Sequence, residues 1–313
     1  MTMTTANTKL ARIFIDGEAG TTGLEIRDRL ANVGQIEVRS IDPAKRKDRE
    51  ARAEMLRNVD LVVLCLPDDA AKETVALADE LGTNAPKIVD ASTAHRVAEG
   101  WVYGFAELAP SQAEAIRNAT RVANPGCYPT GGIALIRPLV EAGLIEPDYP
   151  ISVNAVSGYS GGGRSMIEAY EAGTAPAFEL YGLGLEHKHV PELQKYSGLT
   201  RRPIFVPSVG NFRKGMLVSL PLHLDTLTGR PSVADIEATF RAYYKGAALV
   251  SVGAAPAAGR IVAEGLNDTD RLELFVFGKP ELGQAVLVAR LDNLGKGAAG
   301  AAVQNIKLML GLD

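Results

Sequence analysis

Apolar runs and amphipathic stretches alternate along the first 125 residues. The segments at 11–17 (ARIFIDG), 35–41 (QIEVRSI), 60–67 (DLVVLCLP) and the run APKIVDAS ending at Ser92 are rich in aliphatic and β-branched side chains. They predict strands, and the third, almost wholly apolar, predicts one buried on both faces. Between them GEAGTTGLEIRDRLAN, KRKDREARAEMLRN and AAKETVALADEL carry helical spacing, the first stopped by Gly34. Strand and helix in strict turn predict right-handed βαβ units and a doubly wound parallel sheet, an α/β arrangement.

The pattern changes near residue 150. Segments 151–157, 203–209, 216–224, 260–264, 272–278 and 284–291 read as strands with few helices between the later ones. That predicts a second, α+β domain built on a mixed sheet. The final GKGAAGAAVQNIKLMLGL reads as a helix whose small residues permit close backbone approach, while the Thr- and Asn-rich start reads as a frayed end.

Composition narrows the field. A chain of 313 residues suits two domains, and 46% hydrophobic with 22% charged residues excludes a disordered or collagen-like polymer. Lys plus Arg number 33 against 37 Asp plus Glu, a net charge of -4, which gives no electrostatic reason for a nucleic acid or anionic membrane partner. The longest charge-free stretches, 122–136 and 149–163, are 15 residues and contain Pro and Gly. A spanning helix needs roughly 20 apolar residues. The opening MTMTTANTKL lacks the pattern of a signal peptide, and two cysteines make no disulfide framework, so a reducing cytoplasm is expected.

Gly17, Gly20 and Gly23 fall between the first strand and the first helix, where a dinucleotide pyrophosphate meets backbone N–H groups at a helix N-terminus. The spacing departs from G-x-G-x-x-G, and Thr21 and Thr22 can add hydroxyl donors. A tight capped turn is the plainer alternative. At the end of the second strand Arg39 and Ser40 precede Asp42, with Lys45, Arg46 and Lys47 nearby. That cluster leans toward a 2′-phosphate, hence NADP, against the alternative of a solvated helix start.

Cys127 follows Asn124, Pro125 and Gly126 and precedes the helical stripe of Ile133, Leu135, Ile136, Leu139 and Val140. Pro129 suits a first helical turn, so the sulfur is expected at a helix N-terminus, where the dipole favours a thiolate and free N–H groups can hold an oxyanion. Cys65, inside the apolar run, reads as packing. A thiolate nucleophile needs a proton partner. His187 and His189 in E-H-K-H-V-P-E-L lie on opposite sides if extended, so one of them is expected to face the sulfur, with Glu192 placed to accept a ring N–H from His189. His223 reads as structural, and no third ligand supports a metal site. Arg96, Arg164, Arg213 and Lys214 are candidates for substrate phosphate and carboxylate, with Asn124 a further substrate-side candidate.

Taken together, G-x-x-G-x-x-G at 17–23, D-A-S at 90–92, N-P-G-C-Y-P-T at 124–130, S-G-Y-S-G-G-G-R at 157–164, H-K-H-V-P-E at 187–192 and the C-terminal D-N-L-G-K-G-A-A-G-A-A-V-Q-N-I resemble the N-acetyl-gamma-glutamyl-phosphate reductases of the shorter type. The resemblance runs from about residue 10 to the end. It implies a Rossmann-like NADP domain (1–126 plus 293–313) and a catalytic, oligomerising domain (127–292). It also implies NADPH-dependent reduction of N-acetyl-glutamyl 5-phosphate to the 5-semialdehyde and phosphate in arginine biosynthesis, with Cys127 as nucleophile and His189 as catalytic histidine. Ser157, Gly158, Asn293 and Gly295 to Gly297 are expected near the nicotinamide, and a homo-oligomer, dimer or tetramer, is expected. The rivals are a sibling acting on N-acetyl-aminoadipyl or aspartyl phosphate, and a non-catalytic NADP-binding regulator. A Tyr-x-x-x-Lys ketone reductase is set aside, because Tyr170 is followed by Thr174.

Overall fold

The alternating first third of the chain builds β1 (Ala11–Asp16), α1 (Thr21–Leu30), β2 (Ile36–Arg39), α2 (Arg49–Arg57), β3 (Leu61–Leu64), α3 (Asp68–Asp79), β4 (Lys87–Asp90), β5 (Val102–Tyr103), α4 (Gln112–Asn118) and β6 (Arg121–Ala123). These assignments come from a computed structural model, which describes residues 10–312. Apart from Leu10, the frayed start expected from the sequence lies outside those residues. The six strands run in the order β2-β1-β3-β4-β6-β5 and every pairing is parallel. All four residues of β3 are buried, as its unbroken apolar run requires. Phe14, Leu56, Val62, Leu64 and Ile88 form the core beneath α2 and α3.

The strand order reverses between β1 and β3, the position at which open α/β sheets bind ligands. Gly17, at φ +92°, presses there on the backbone carbonyl of Cys65, which follows β3. Just before it the Asp16 carboxylate takes Arg52 Nη2 at 2.9 Å from α2 and the Thr74 hydroxyl at 3.0 Å from α3, so the strand end that launches the glycine loop is fixed from both helices.

The rest of the chain forms α5 (Cys127–Glu141), β7 (Ser152–Gly158), α6 (Arg164–Glu171), β8 (Phe178–Leu180), α7 (Val190–Ser197), β9 (Ile204–Gly210), β10 (Met216–His223), α8 (Val233–Tyr243), β11 (Val250–Val252), β12 (Leu272–Lys279), β13 (Gln284–Leu291) and α9 (Gly300–Leu310). Its seven strands run β11-β12-β13-β10-β7-β9-β8 with mixed directions. Glycines let α5 lie close on its neighbours. A Cβ on Gly131 would come 2.8 Å from Val218 of β10, and one on Gly132 would come 2.7 Å from Leu193 of α7.

Two compact units result. Among the described residues, one holds 10–104, Glu114–Asn124 and 302–312; the other holds Phe105–Ala113 and Pro125–Ala301. Within the first unit the terminal helix is tied down by Asn305, whose Nδ2 donates to Gly104 O at 2.9 Å and to Asn124 Oδ1 at 3.0 Å. The excursion of 105–113 into the second unit has no counterpart in the sequence pattern.

One strand prediction fails. Residues 260–264 pair with nothing in the ladder; Ala263–Leu266 is a 3-10 turn and Val262 is 65% exposed. The edge of the sheet beside β12 is formed by β11, where the sequence pattern predicted no strand. The short edge strand β8 gave no sequence signal either.

Candidate active site

Cys127 is the first residue of α5, preceded by the N-cap Gly126 in an extended conformation and without a side-chain cap. It is half-buried, while Asn124–Gly126 and Tyr128–Thr130 on either side are buried. Two contacts fix the turn. Gly126 N–H donates to Glu192 Oε2 at 3.0 Å, and Gly126 O accepts from the Thr130 hydroxyl at 2.9 Å. On the third side a Cβ at Gly297 would lie 2.9 Å from Cys127 Cβ, so only glycine fits there. Cys65 differs. Burial, with Asp90 and Asp16 beside it, pushes its thiol up to about 12 and keeps it protonated.

His189 caps α7 and is 7% exposed. The spacing argument for the pair rested on an extended segment. The segment turns rather than extends, Val190 N–H donating to His187 O at 3.0 Å. Both rings consequently gather around Tyr128, at 6.2 and 5.9 Å, and lie 4.7 Å from each other. The His189 N–H donates to His187 Nδ1 at 3.2 Å, which leaves the His187 proton on Nε2. Burial, aided by Lys188, pushes the His187 pKa down to about 4, so this ring is neutral at pH 7. Glu192, predicted from spacing as the acceptor for the His189 ring, directs Oε2 at the Gly126 amide and is 1% exposed.

Two hydroxyls complete the surroundings. Tyr128 donates to Ser208 O at 2.8 Å and accepts from Tyr181 at 3.1 Å. Burial pushes both phenols up, Tyr181 to about 12, so both stay neutral. Tyr181 comes from the segment after β8, and no spacing rule links it to Cys127.

Ser157 and Gly158 end β7, Gly158 N–H donating to Gly215 O at 2.9 Å, and Asn293 follows β13. Asn293 Nδ2 donates to Ser160 Oγ at 2.9 Å and its Oδ1 accepts from Gly215 N–H at 2.9 Å. A Cβ on Gly158 would come 2.6 Å from the Arg213 carbonyl, and Gly295 packs against the Thr269 carbonyl. The charged candidates around this loop lean on acids. Arg213 pairs with Glu171, Lys214 Nζ lies 2.8 Å from Asp268, and exposed Arg164 lies 3.7 Å from Glu168.

In the other unit, Thr21 and Thr22 open α1 behind Gly20, an N-cap with no side-chain acceptor for the first-turn amides. Gly20 N–H donates to Gly17 O at 3.0 Å, and a Cβ on Gly23 would approach that oxygen to 2.6 Å. The loop is thus a tight ring of backbone with its helix donors uncapped, which fits a pyrophosphate. Arg39 pairs with Glu37 at 2.9 Å. Ser40 donates to Glu18 Oε2 at 2.8 Å, joined by Arg27 at 2.7 Å, a residue that the sequence pattern did not single out. Arg96 is 8% exposed and follows His95, whose Nδ1 lies 2.6 Å from Asp90 and whose ring stacks on Trp101 at 4.2 Å. Asn124 N–H donates to Asp90 O at 2.7 Å.

Known proteins share this arrangement. Residues 127–293 match the profile of the semialdehyde dehydrogenase dimerisation domain, and 28–117 that of the semialdehyde dehydrogenase NAD binding domain. An N-acetyl-gamma-glutamyl-phosphate reductase of Brucella ovis is 55% identical over 308 residues, spanning 96% of this chain and 99% of that protein; one of Brucella suis biovar 1 matches equally. The chain belongs to the N-acetyl-gamma-glutamyl-phosphate reductase family. It is an oxidoreductase of the semialdehyde dehydrogenase group, and its cofactor is a nicotinamide dinucleotide. Among solved structures, aspartate semialdehyde dehydrogenase II of Vibrio cholerae, complexed with ASA, superposes with a TM-score of 0.71 at 15% identity, over 97% of this chain and 99% of that one. The Francisella tularensis enzyme gives 0.73 at 12% identity, covering 96% and 100%. A Candida albicans enzyme solved with NADP gives 0.66 at 16%, covering 96% and 99%. Those likenesses establish the two-domain fold.

The neutral His187 predicts a pH signature. An unfolded chain protonates this ring near 6.5, the folded one near 4. Between those values the unfolded state binds the extra proton, so acidification from 6.5 toward 4 lowers stability. Urea unfolding of the wild type is expected to lose stability more steeply over that window than a His187→Asn variant. Identical slopes would show that His187 is not buried neutral.

Proposed function

We propose that this protein reduces N-acetyl-L-glutamyl 5-phosphate to N-acetyl-L-glutamate 5-semialdehyde and phosphate, using NADPH, through a thioester on Cys127. The observation that carries the reading is the half-buried sulfur at the N-terminus of α5, in a turn held by a buried carboxylate. Near-full-length identity of 55% to named reductases of this substrate supports it, whereas the aspartate enzymes match at 12–16%. The place of this step is arginine biosynthesis, in the cytoplasm; among the described residues no helix is long and apolar enough to cross a membrane.

The residues act in sequence. The α5 dipole and its first free amides hold Cys127 as thiolate, a contribution of about 0.3–2 kcal/mol. The sulfur attacks the acyl carbon, the C–O bond to phosphate breaks, and inorganic phosphate leaves with the electron pair. Bound NADPH supplies the hydride that the thioester carbon accepts. First-turn N–H groups of α5 stabilise the resulting oxyanion. The oxyanion then re-forms the carbonyl as the C–S bond breaks, releasing the aldehyde and the thiolate. His189 takes the thiol proton of Cys127 before attack, a role that His187, a weak base with its pKa near 4, fills poorly. Arg96 and Asn124 are proposed for the substrate's anionic groups. Arg164, Arg213 and Lys214 are proposed as well, although Arg213 and Lys214 must first leave Glu171 and Asp268.

For the cofactor, Gly17, Gly20, Thr21, Thr22 and Gly23 are proposed to cradle the pyrophosphate, and Ser157, Gly158, Asn293 and Gly295 the nicotinamide end. Ser40 and Arg27 already converge on one carboxylate, Glu18. With Arg39 they are proposed to take the 2′-phosphate that distinguishes NADP. The second sheet leaves Phe178, Leu180, Ile204 and Val286 exposed, and a groove of about 710 Å³ opens beside β12 and β13, lined in part by Ile261, Phe277 and Val288. A second copy of this chain is proposed to cover that face, in keeping with the name of the matching domain.

Three measurements test these readings. In the reverse direction, phosphate-dependent reduction of NADP by N-acetyl-glutamate semialdehyde is expected for wild type and lost about 10³-fold or more in Cys127→Ser; preference for aspartate semialdehyde sinks the substrate assignment. Equilibrium dialysis is expected to show NADP binding weakened about tenfold by Arg27→Met, with NAD binding unchanged; equal loss of both removes Arg27 from the 2′ site. Sedimentation should report a dimer or tetramer that the outward substitution Val286→Asp weakens, and a monomer at micromolar concentration contradicts the interface.

A further inference from the structure

Among the described residues Lys296 is the only buried lysine, with a side chain 1% exposed. The proposed chemistry gives it no work. Its ammonium lies 2.5 Å from Glu107 Oε2, and the Glu107 side chain is 9% exposed. The Phe105 ring centre is 5.4 Å away. Both partners stand on the 105–113 segment, which Tyr243 also pins by donating its hydroxyl to Leu108 O at 2.6 Å. Burial pushes the Lys296 pKa down, and the nearby charges of Glu107 and Asp270 oppose that shift.

What the lysine holds is unusual. Residues Gly295–Ala299 form a π-helical turn, a rare conformation that recurs at functional sites. Its frame is fixed by Asp292, which is fully buried. Asp292 accepts Gly297 N–H on its main-chain oxygen at 3.0 Å, Leu294 N–H on Oδ1 at 2.8 Å and Asp268 N–H on Oδ2 at 2.7 Å. Gly300 packs so closely on the Asp270 carboxylate that a Cβ would collide. Gly297, next to Lys296 in the chain, is the residue whose backbone lies against Cys127. A buried ion pair contributes little net stability, but removing one partner strands a charge. It is therefore better suited to specifying a single conformation than to strengthening the fold.

We infer that the Lys296–Glu107 ion pair is the positioning device of the nucleophile, locking the π-helical turn so that Gly297 presses on Cys127 and fixes the direction in which its sulfur leaves α5. Lys296 acts through the backbone and touches no reacting atom. The inference rests on the reading of Cys127 as nucleophile.

The test uses two variants of the full chain. Lys296→Met with Glu107→Gln removes both charges together, avoiding the stranded charge of either single change. Gly297→Ala leaves the pair intact and sets a methyl against Cys127. Each is compared with wild type for thermal unfolding, kcat and KM, and the rate at which iodoacetamide alkylates Cys127. Misplacing a nucleophile by about 1 Å costs on the order of 100-fold. Both variants are expected to lose about 10–100-fold in kcat with KM within about threefold, and the alkylation rate is expected to change at least about threefold in parallel. A folded double variant with wild-type kcat and alkylation overturns the inference, and so does a kcat loss with unchanged alkylation, which marks a purely structural role. If the double variant fails to fold, Gly297→Ala decides, and its wild-type behaviour overturns the inference. Full activity in Cys127→Ser defeats the nucleophile reading itself, whatever the other variants do.

Discussion

The N–H of Gly126 reaches a carboxylate that is 1% exposed, and the start of α5 is held by that bond. A buried carboxylate is stable only where donors meet it, and the N-terminal end of α5 supplies both an amide and a favourable dipole. In return Glu192 fixes the Pro125–Gly126 turn, so the residue after it must start the helix with its side chain at the mouth of the dipole. The Glu192 carboxylate takes up the amide of the residue before Cys127.

Three rings in this part of the second unit stay uncharged. Tyr128 and Tyr181 are held as phenols and His187 as neutral imidazole, all by burial. A low-dielectric wall of this kind strengthens a fixed dipole acting on a nearby charge. Of the two histidines in the H-x-H motif, His187 is tied to one tautomer by the backbone N–H it receives.

Much of this was legible in the chain. Strict strand–helix alternation announced the parallel sheet, and Asn-Pro-Gly before an apolar helical stripe placed Cys127 at a helix start, because both signals are local and periodic. The misses are contacts made over long sequence separations. For Glu192 the spacing pointed to its neighbour His189, and nothing local announced that its Oε2 also meets an amide 66 residues away. Lys296 and Glu107, 189 residues apart, carry no mutual pattern, and charge alone marks both as surface residues. Strands β8 and β11 have three residues each, too few for a period to register. Residues 260–264 show the converse: aliphatic side chains that look like a strand but find no partner edge.

Both units place their reactive or ligand-facing backbone by the same means. Gly17 lies on the Cys65 carbonyl in one and Gly297 on Cys127 in the other, each a contact that a methyl group would break. A backbone-to-backbone contact has no rotamers, so it holds an atom more closely than two flexible side chains can. The weakness is that such contacts resist nothing by themselves. Something must press the two segments together: at Gly17, Arg52 and Thr74 converging on Asp16, and at Gly297, the buried Asp292 with the Lys296–Glu107 pair. In both places buried charged side chains brace a glycine against its neighbour.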